Sequence, residues 1–294
     1  MANRVSLLAY LQHAPPSIDY IDVGQSQSNT TNKNYGPDDI SSVGVWQEFN
    51  KATILQDFGP LLNMIQAEHD PIRATTPQRG ITSESGLHLA FGEYFHPRIR
   101  RSLRYTFEHL DDRAARRAAP QHQASNRQED RAINQALDRV LDHILPARTN
   151  VLMGVGSDAI MPDQFVPDCS FYVAAAAGVP RTRLGPNRLP GDLKPSWKWS
   201  HSMGNRPLRY AEFSKALAQV NWYMKQHRTQ YSFILTEREL VPIRRVSDNG
   251  DLRLANPIPW TRSGTSQDPE LTVALGLWYL GMLAANDTLY RAPW

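Results

Sequence analysis

Cysteine is almost absent from this 294-residue chain: the one cysteine, Cys169, excludes an internal disulfide framework and a cysteine zinc cluster, and fits a reducing compartment. Long apolar runs are missing too. The most apolar segment, 271–285, falls short of the roughly 20 residues that a membrane-spanning helix needs, and reads as a buried core helix or a homo-oligomer contact. The opening MANRVSLLAYLQHAPPS reaches its prolines before an export-type apolar stretch has formed, so no leader is expected. The expected location is intracellular, nuclear or cytoplasmic, with no membrane partner. Charge of one sign is also scarce in excess: 32 Lys and Arg stand against 29 Asp and Glu, a net +3. An anionic partner would have to be recognised by local clusters. No phosphate-cradling glycine loop, dinucleotide fingerprint or nucleophile elbow occurs, which disfavours the corresponding nucleotidase, dehydrogenase and hydrolase classes. Seven of the histidines, His88, His96, His109, His122, His143, His201 and His227, form no pair with zinc spacing, and none is assigned to a metal.

What is present is 41% apolar residues, ample for a sizeable core. Residues 1–42 read as a flexible arm, because 12–42 are rich in Pro, Gly, Ser and Asn. Residues 43–81 read as an N-terminal helical layer: Trp46, Phe49, Ile54, Leu55, Phe58, Leu61, Leu62 and Ile65 recur at helical spacing, with a break expected at Gly59-Pro60. In the remaining 82–294, Leu87, Phe91, Phe95, Ile99, Leu103 and Phe107 form a stripe at steps of four, with a kink expected at Pro97. A charged loop (111–131) and an amphipathic helix (Ile133 to Ile144) follow. Beyond Asn150 the texture turns to short β-rich runs at 151–155, 165–174 and 192–199, then a helix at 210–226, then strands at 231–236, 240–246 and 252–254. Helices, three strands, a helix, two or three strands and a final helix make an α/β chain.

Within the strands lies a constellation with chemical content. Pro167-Asp168 leads into one strand and Asp192-Leu193-Lys194 opens the next, 24 residues later. Carboxylates on neighbouring strands can hold a hard cation, and Asp192 and Lys194 share one face because strand side chains repeat with period two. Asp192-x-Lys194 is the only acid-x-Lys triplet in the chain. Gln219-Val220-Asn221-Trp222-Tyr223 is the only Gln-x-x-x-Tyr.

Together these residues resemble the PD-(D/E)XK nuclease superfamily, including its RecB-like members, which carry Gln-x-x-x-Tyr on the helix after the motif. The resemblance covers about residues 82–255 and implies a restriction-endonuclease-like core, a mixed central sheet flanked by helices, here with an N-terminal helical extension. It implies Mg²⁺ or Mn²⁺ held by Asp168, Asp192 and the Leu193 carbonyl, with Lys194 orienting or deprotonating water and Gln219 and Tyr223 in support. Some fungal members of this type add a helix carboxylate before a His-Pro pair, which maps onto Glu93 ahead of His96-Pro97; a solvated helix face stands equal to that reading. Glu84 is the weaker substitute, since an acid in a first turn usually serves the helix dipole. Two departures from the pattern are Pro97, which disturbs the helix bearing Glu93, and the long loop between Asp168 and Asp192.

The implied activity is hydrolysis of nucleic-acid phosphodiesters, DNA ahead of RNA, by a metal-activated water. Alternatives are a silent binding protein, or a small-molecule enzyme of specialised metabolism that redeploys the fold. Arg181, Arg183, Arg188 and Lys198 are the phosphate-backbone candidates, interleaved with Trp197 and Trp199. At least one of those tryptophans is expected inside the sheet core.

Overall fold

This computed structural model describes residues 3–72, 80–118, 147–173 and 185–294, with 134, 135, 137–140, 142 and 145 between them. Segments β7 (Tyr231–Leu235) and β6 (Asn187–Leu193) are buried at every position, as central strands covered on both faces must be. Around them a mixed eight-stranded sheet runs in the order β2 (Ser42–Val45), β9 (Asp251–Leu254), β8 (Glu239–Arg245), β7, β6, β5 (Cys169–Val173), β4 (Val151–Val155). The eighth strand, β10 (Ile258–Pro259), pairs with β8. Strands β6 and β7 are parallel, joined through helix α5 (Tyr210–His227), whereas β4, β5 and β6 form an antiparallel meander.

Strand alternation divides the core in two. Ile234 joins Val241, Ile243 and the α5 residues Phe213, Leu217 and Val220 on one face. Its neighbours Phe233 and Leu235 join Phe171, Leu189 and the helices of the other face. Those helices are α4 (His96–Ala118) and α6 (Val273–Ala285). At Gly281 a side chain would meet Leu103 of α4, so glycine sets how closely the two helices approach.

The stripe from Leu87 to Phe107 is buried throughout, split between α3 (Glu84–Tyr94) and α4, with the break at Phe95 just ahead of Pro97. Gly59-Pro60, by contrast, does not break a helix: α2 runs unbroken over Lys51–Met64. A glycine before the proline removes the side-chain clash that normally forces the preceding residue out of helical geometry.

Five other expectations are corrected. Residues 111–118, expected in a charged loop, continue helix α4, and the rest of that stretch, 119–131, lies outside the described residues. The proposed arm opens with β1 (Arg4–Ser6) and α1 (Leu7–Leu11), whose Leu7, Leu8, Tyr10 and Leu11 are core residues, and β1 pairs with β3 (Gln66–Glu68). Residues 43–81 are not purely helical, because β2 is an edge strand of the main sheet, parallel to β9. The third β-rich run is shifted upstream: β6 ends at Leu193, so the tryptophans follow the strand. Finally, all residues of α6 are buried within the chain, so this helix has no face left for a second copy. No described helix is long and apolar enough to cross a membrane.

Candidate metal centre

Strand register brings the two acids together. Cys169 of β5 pairs with Gly191 of β6 in an antiparallel ladder. One step further, Asp168 therefore stands opposite Asp192, where paired side chains lie close enough to interact. Asp168 Oδ2 accepts a hydrogen bond from the Leu193 N–H at 2.7 Å. Lys194, the residue just past β6, returns its ammonium to within 2.9 Å of Asp192 Oδ2.

The side wall is helix α3. Glu84 Oε1 lies 3.8 Å from the Lys194 ammonium, and Glu84 Oε2 accepts from Lys198 Nζ at 2.8 Å. One turn on, His88 Nε2 is 3.7 Å from Asp168 Oδ1. Donor atoms of Glu84, His88 and Asp168 all lie within 4.8 Å of one another. Ser83 accepts from the Gly86 N–H and caps the helix, which leaves the Glu84 carboxylate to face the centre.

Burial dominates the electrostatics. Asp192, 1% exposed, has its pKa pushed up to about 7 by desolvation, against the pull of Lys194 and with a further push from Asp168. Asp168 is raised for the same first reason. Burial opposes the Lys194 charge, but Asp192, Asp168 and Glu84 outweigh it and its pKa is raised. Burial also opposes ionisation of Glu84, yet the Lys198 bond and Lys194 charge prevail and lower its pKa. Burial lowers His88, so the imidazole is neutral near pH 7 and its contact with Asp168 is not an ion pair. Two carboxylates and a neutral imidazole within ligand reach of one another fit a divalent cation.

Helix α5 closes the floor. Gln219 Nε2 donates to Tyr223 Oη at 2.8 Å, an i,i+4 pair, and Tyr223 Oη donates to the Val166 carbonyl at 3.4 Å. Burial first, then the Asp192 charge, raises the Tyr223 pKa. Asp168, Asp192 and Lys194 are thus gathered in one place, with Gln219 and Tyr223 tied to the segment that leads into Asp168.

Other candidates fall elsewhere. Glu93 lies beside Asp70, Tyr94, Arg98 and Arg101 in a separate cavity, away from the acids. Arg188 is a buried strand residue paired with Asp287 at 2.6 Å and stacked over Tyr290, which removes it from any phosphate surface. Lys198 does reach the centre, but as the partner of Glu84. Arg181 and Arg183 lie outside the described residues. Both tryptophans are buried, Trp197 against Tyr20 and Trp199 against Phe213, and neither is free to stack on a base. His88, assigned to no metal from the sequence, belongs to the centre, and buried Tyr35 feels the Lys194 and Asp192 charges. Glu84 and His88 form a Glu-x-x-x-His pair on one helix face, a signal present in the sequence; Tyr35 had none. Neither a protein-family model, a curated protein nor a solved structure matches this chain.

Proposed function

We propose that the chain is a divalent-cation-dependent phosphodiesterase of the nuclease type, acting on DNA ahead of RNA. One observation carries the reading: Asp168 and Asp192 face each other across β5 and β6, with Lys194 folded back onto the pair and Glu84 and His88 beside it. A meander of three strands, a crossover helix and a parallel fourth strand supports a PD-(D/E)XK core. Asp168, Asp192, Glu84 and His88 are the side-chain ligands, completed by the Leu193 carbonyl. The imidazole nitrogen favours Mn²⁺ over Mg²⁺. A bound cation supplies Lewis acidity toward the phosphate and lowers the pKa of a coordinated water. Lys194 orients the water, kept charged by its three carboxylate neighbours. Gln219 and Tyr223 brace the segment that leads into Asp168, through the Val166 carbonyl.

A single experiment tests this reading. Purified protein is incubated with labelled single- and double-stranded DNA and RNA in Mn²⁺ or EDTA, beside Asp192→Ala and Lys194→Ala. Cleavage in Mn²⁺ that EDTA and both substitutions abolish is expected; an inactive wild type, or an active Asp192→Ala, sinks the proposal.

A second reading, an enzyme of this architecture acting on a small phosphodiester, is favoured by the cations already spent on Asp287 and Glu84. Turnover of a small aryl phosphodiester without cleavage of any nucleic acid would select it.

A further inference from the structure

The backbone that carries Lys198 is held at both of its polar groups. Its N–H donates to the Pro195 carbonyl at 2.9 Å, and its carbonyl accepts from Asn29 Nδ2 at 3.0 Å. Asn29, 5% exposed, is itself fixed, donating Nδ2 to the Glu212 carbonyl at 3.0 Å and its N–H to Glu212 Oε2 at 2.6 Å. On one side of Lys198 the Trp197 carbonyl accepts from Arg209 at 2.8 Å, and the Trp197 ring stacks on Tyr20 at 4.4 Å. On the other side Trp199 is fully buried and stacks on Phe213 at 5.8 Å. Asn29 and Tyr20 belong to the stretch expected to be a loose arm, so that stretch helps to fix Lys198.

From this mount the side chain reaches across to helix α3. Lys198 Nζ donates to Glu84 Oε2 at 2.8 Å, the two side chains being 22% and 36% exposed. An ion pair between exposed, freely moving side chains contributes little. Here both ends are anchored, Lys198 by the contacts above and Glu84 by the Ser83 cap at the start of α3. The bond also divides the carboxylate: Oε2 is taken by Lys198, and Oε1 is left on the side of Lys194, 3.8 Å from its ammonium. Carboxylates that ligate a metal are themselves oriented by hydrogen bonds from outside the ligand set.

We propose that Lys198 is a positioning residue of the metal centre, fixing Glu84 so that Oε1 meets the cation, and not a contact for the phosphate backbone. The inference rests on the metal-centre part of the phosphodiesterase reading above: it needs a cation at Glu84, His88 and Asp168, but not cleavage. Two consequences set it apart. Lys198 acts before any nucleic acid is present, which a phosphate contact cannot do, and it acts only through Glu84.

The test titrates Mn²⁺ into the full-length protein by calorimetry, with no nucleic acid present. Lys198→Met, which keeps most of the stem and removes the ammonium, is expected to weaken Mn²⁺ binding about tenfold while the metal-free Tm stays near wild type. Lys198→Arg restores a cationic donor and is expected to recover most of that loss. In a Glu84→Ala background the same Lys198→Met substitution should cost nothing further, because the lysine has no carboxylate left to orient. Wild-type affinity in Lys198→Met overturns the proposal, and a raised KM for a labelled oligonucleotide beside it would return Lys198 to the phosphate backbone. Tighter Mn²⁺ binding in Lys198→Met overturns it by showing that the ammonium competes with the cation. A loss that Lys198→Arg fails to recover, or one equally large with and without the Glu84 carboxylate, overturns it as well. A wild type that binds no Mn²⁺ removes the metal centre and this inference with it; one that binds Mn²⁺ without cleaving nucleic acid ends the phosphodiesterase reading alone.

Discussion

The two ends of helix α3 carry similar side chains and have different fates. At its start, Glu84 and His88 are four residues apart, share a face and meet Asp168. Near its end, Glu93 lies in a cavity with Asp70, Arg98 and Arg101. Nine residues separate the two glutamates, and at about 100° per residue nine steps amount to half a turn beyond two full turns. Glu93 therefore projects from the opposite side of α3, about 13 Å further along it by the helical rise. Helical phase, not the neighbouring His96-Pro97, decides which acid serves the centre.

The largest effect should come from removing what the first end of α3 faces. Asp192→Ala is expected to abolish metal-dependent cleavage and the Mn²⁺-induced rise in Tm. It also leaves the buried Lys194 ammonium without its closest carboxylate, at a cost of about 3 kcal/mol. Denaturant unfolding reads that loss, and an unchanged midpoint would show that Glu84 and Asp168 already satisfy the lysine.

A direct contrast between the ends follows. Glu84→Gln should weaken Mn²⁺ binding by about 10- to 100-fold, the range for a group that holds or orients a metal ligand set. Glu93→Gln should leave it unchanged. Calorimetric titration of both variants decides the matter, and equal affinities would dissolve the distinction between the two ends. His88→Ala should act more selectively. Losing a nitrogen donor weakens Mn²⁺ by about tenfold and Mg²⁺ less, so the preference between the ions narrows.

Much of the centre could be read from sequence because it depends on local rules. The period-two pairing of Asp192 with Lys194 and the one-turn pairing of Gln219 with Tyr223 follow from strand and helix geometry, and both contacts are present. Contacts set by the fold at long range were not legible. Asn29 reaches the Lys198 carbonyl across 169 residues of chain, from a segment whose Pro, Gly and Ser content suggests looseness; buried Asn29 and Tyr35 fasten it. Arg188 was read as surface charge because its partner, Asp287, lies 99 residues away. Pro60 does not stop α2, since the glycine before it relieves the clash that usually ends a helix.

The smallest effect separates the two ends by proton linkage. Burial pushes the Asp192 pKa up to about 7, well above the ordinary carboxylate range it has when unfolded. Between those values the folded protein binds more protons than the unfolded chain, so metal-free stability is greatest at the acid end of the window and declines as pH rises toward about 7. Asp168, raised for the same reason, adds to the slope; Lys194, also raised, keeps its proton throughout and adds none. A cation must displace the Asp192 proton to bind, so the Mn²⁺-induced rise in Tm should be smaller at pH about 6 than at about 8. Asp192→Asn should flatten the metal-free slope while Glu93→Gln leaves it intact. A slope that survives Asp192→Asn undiminished would move the proton away from Asp192 and leave Asp168 as its holder.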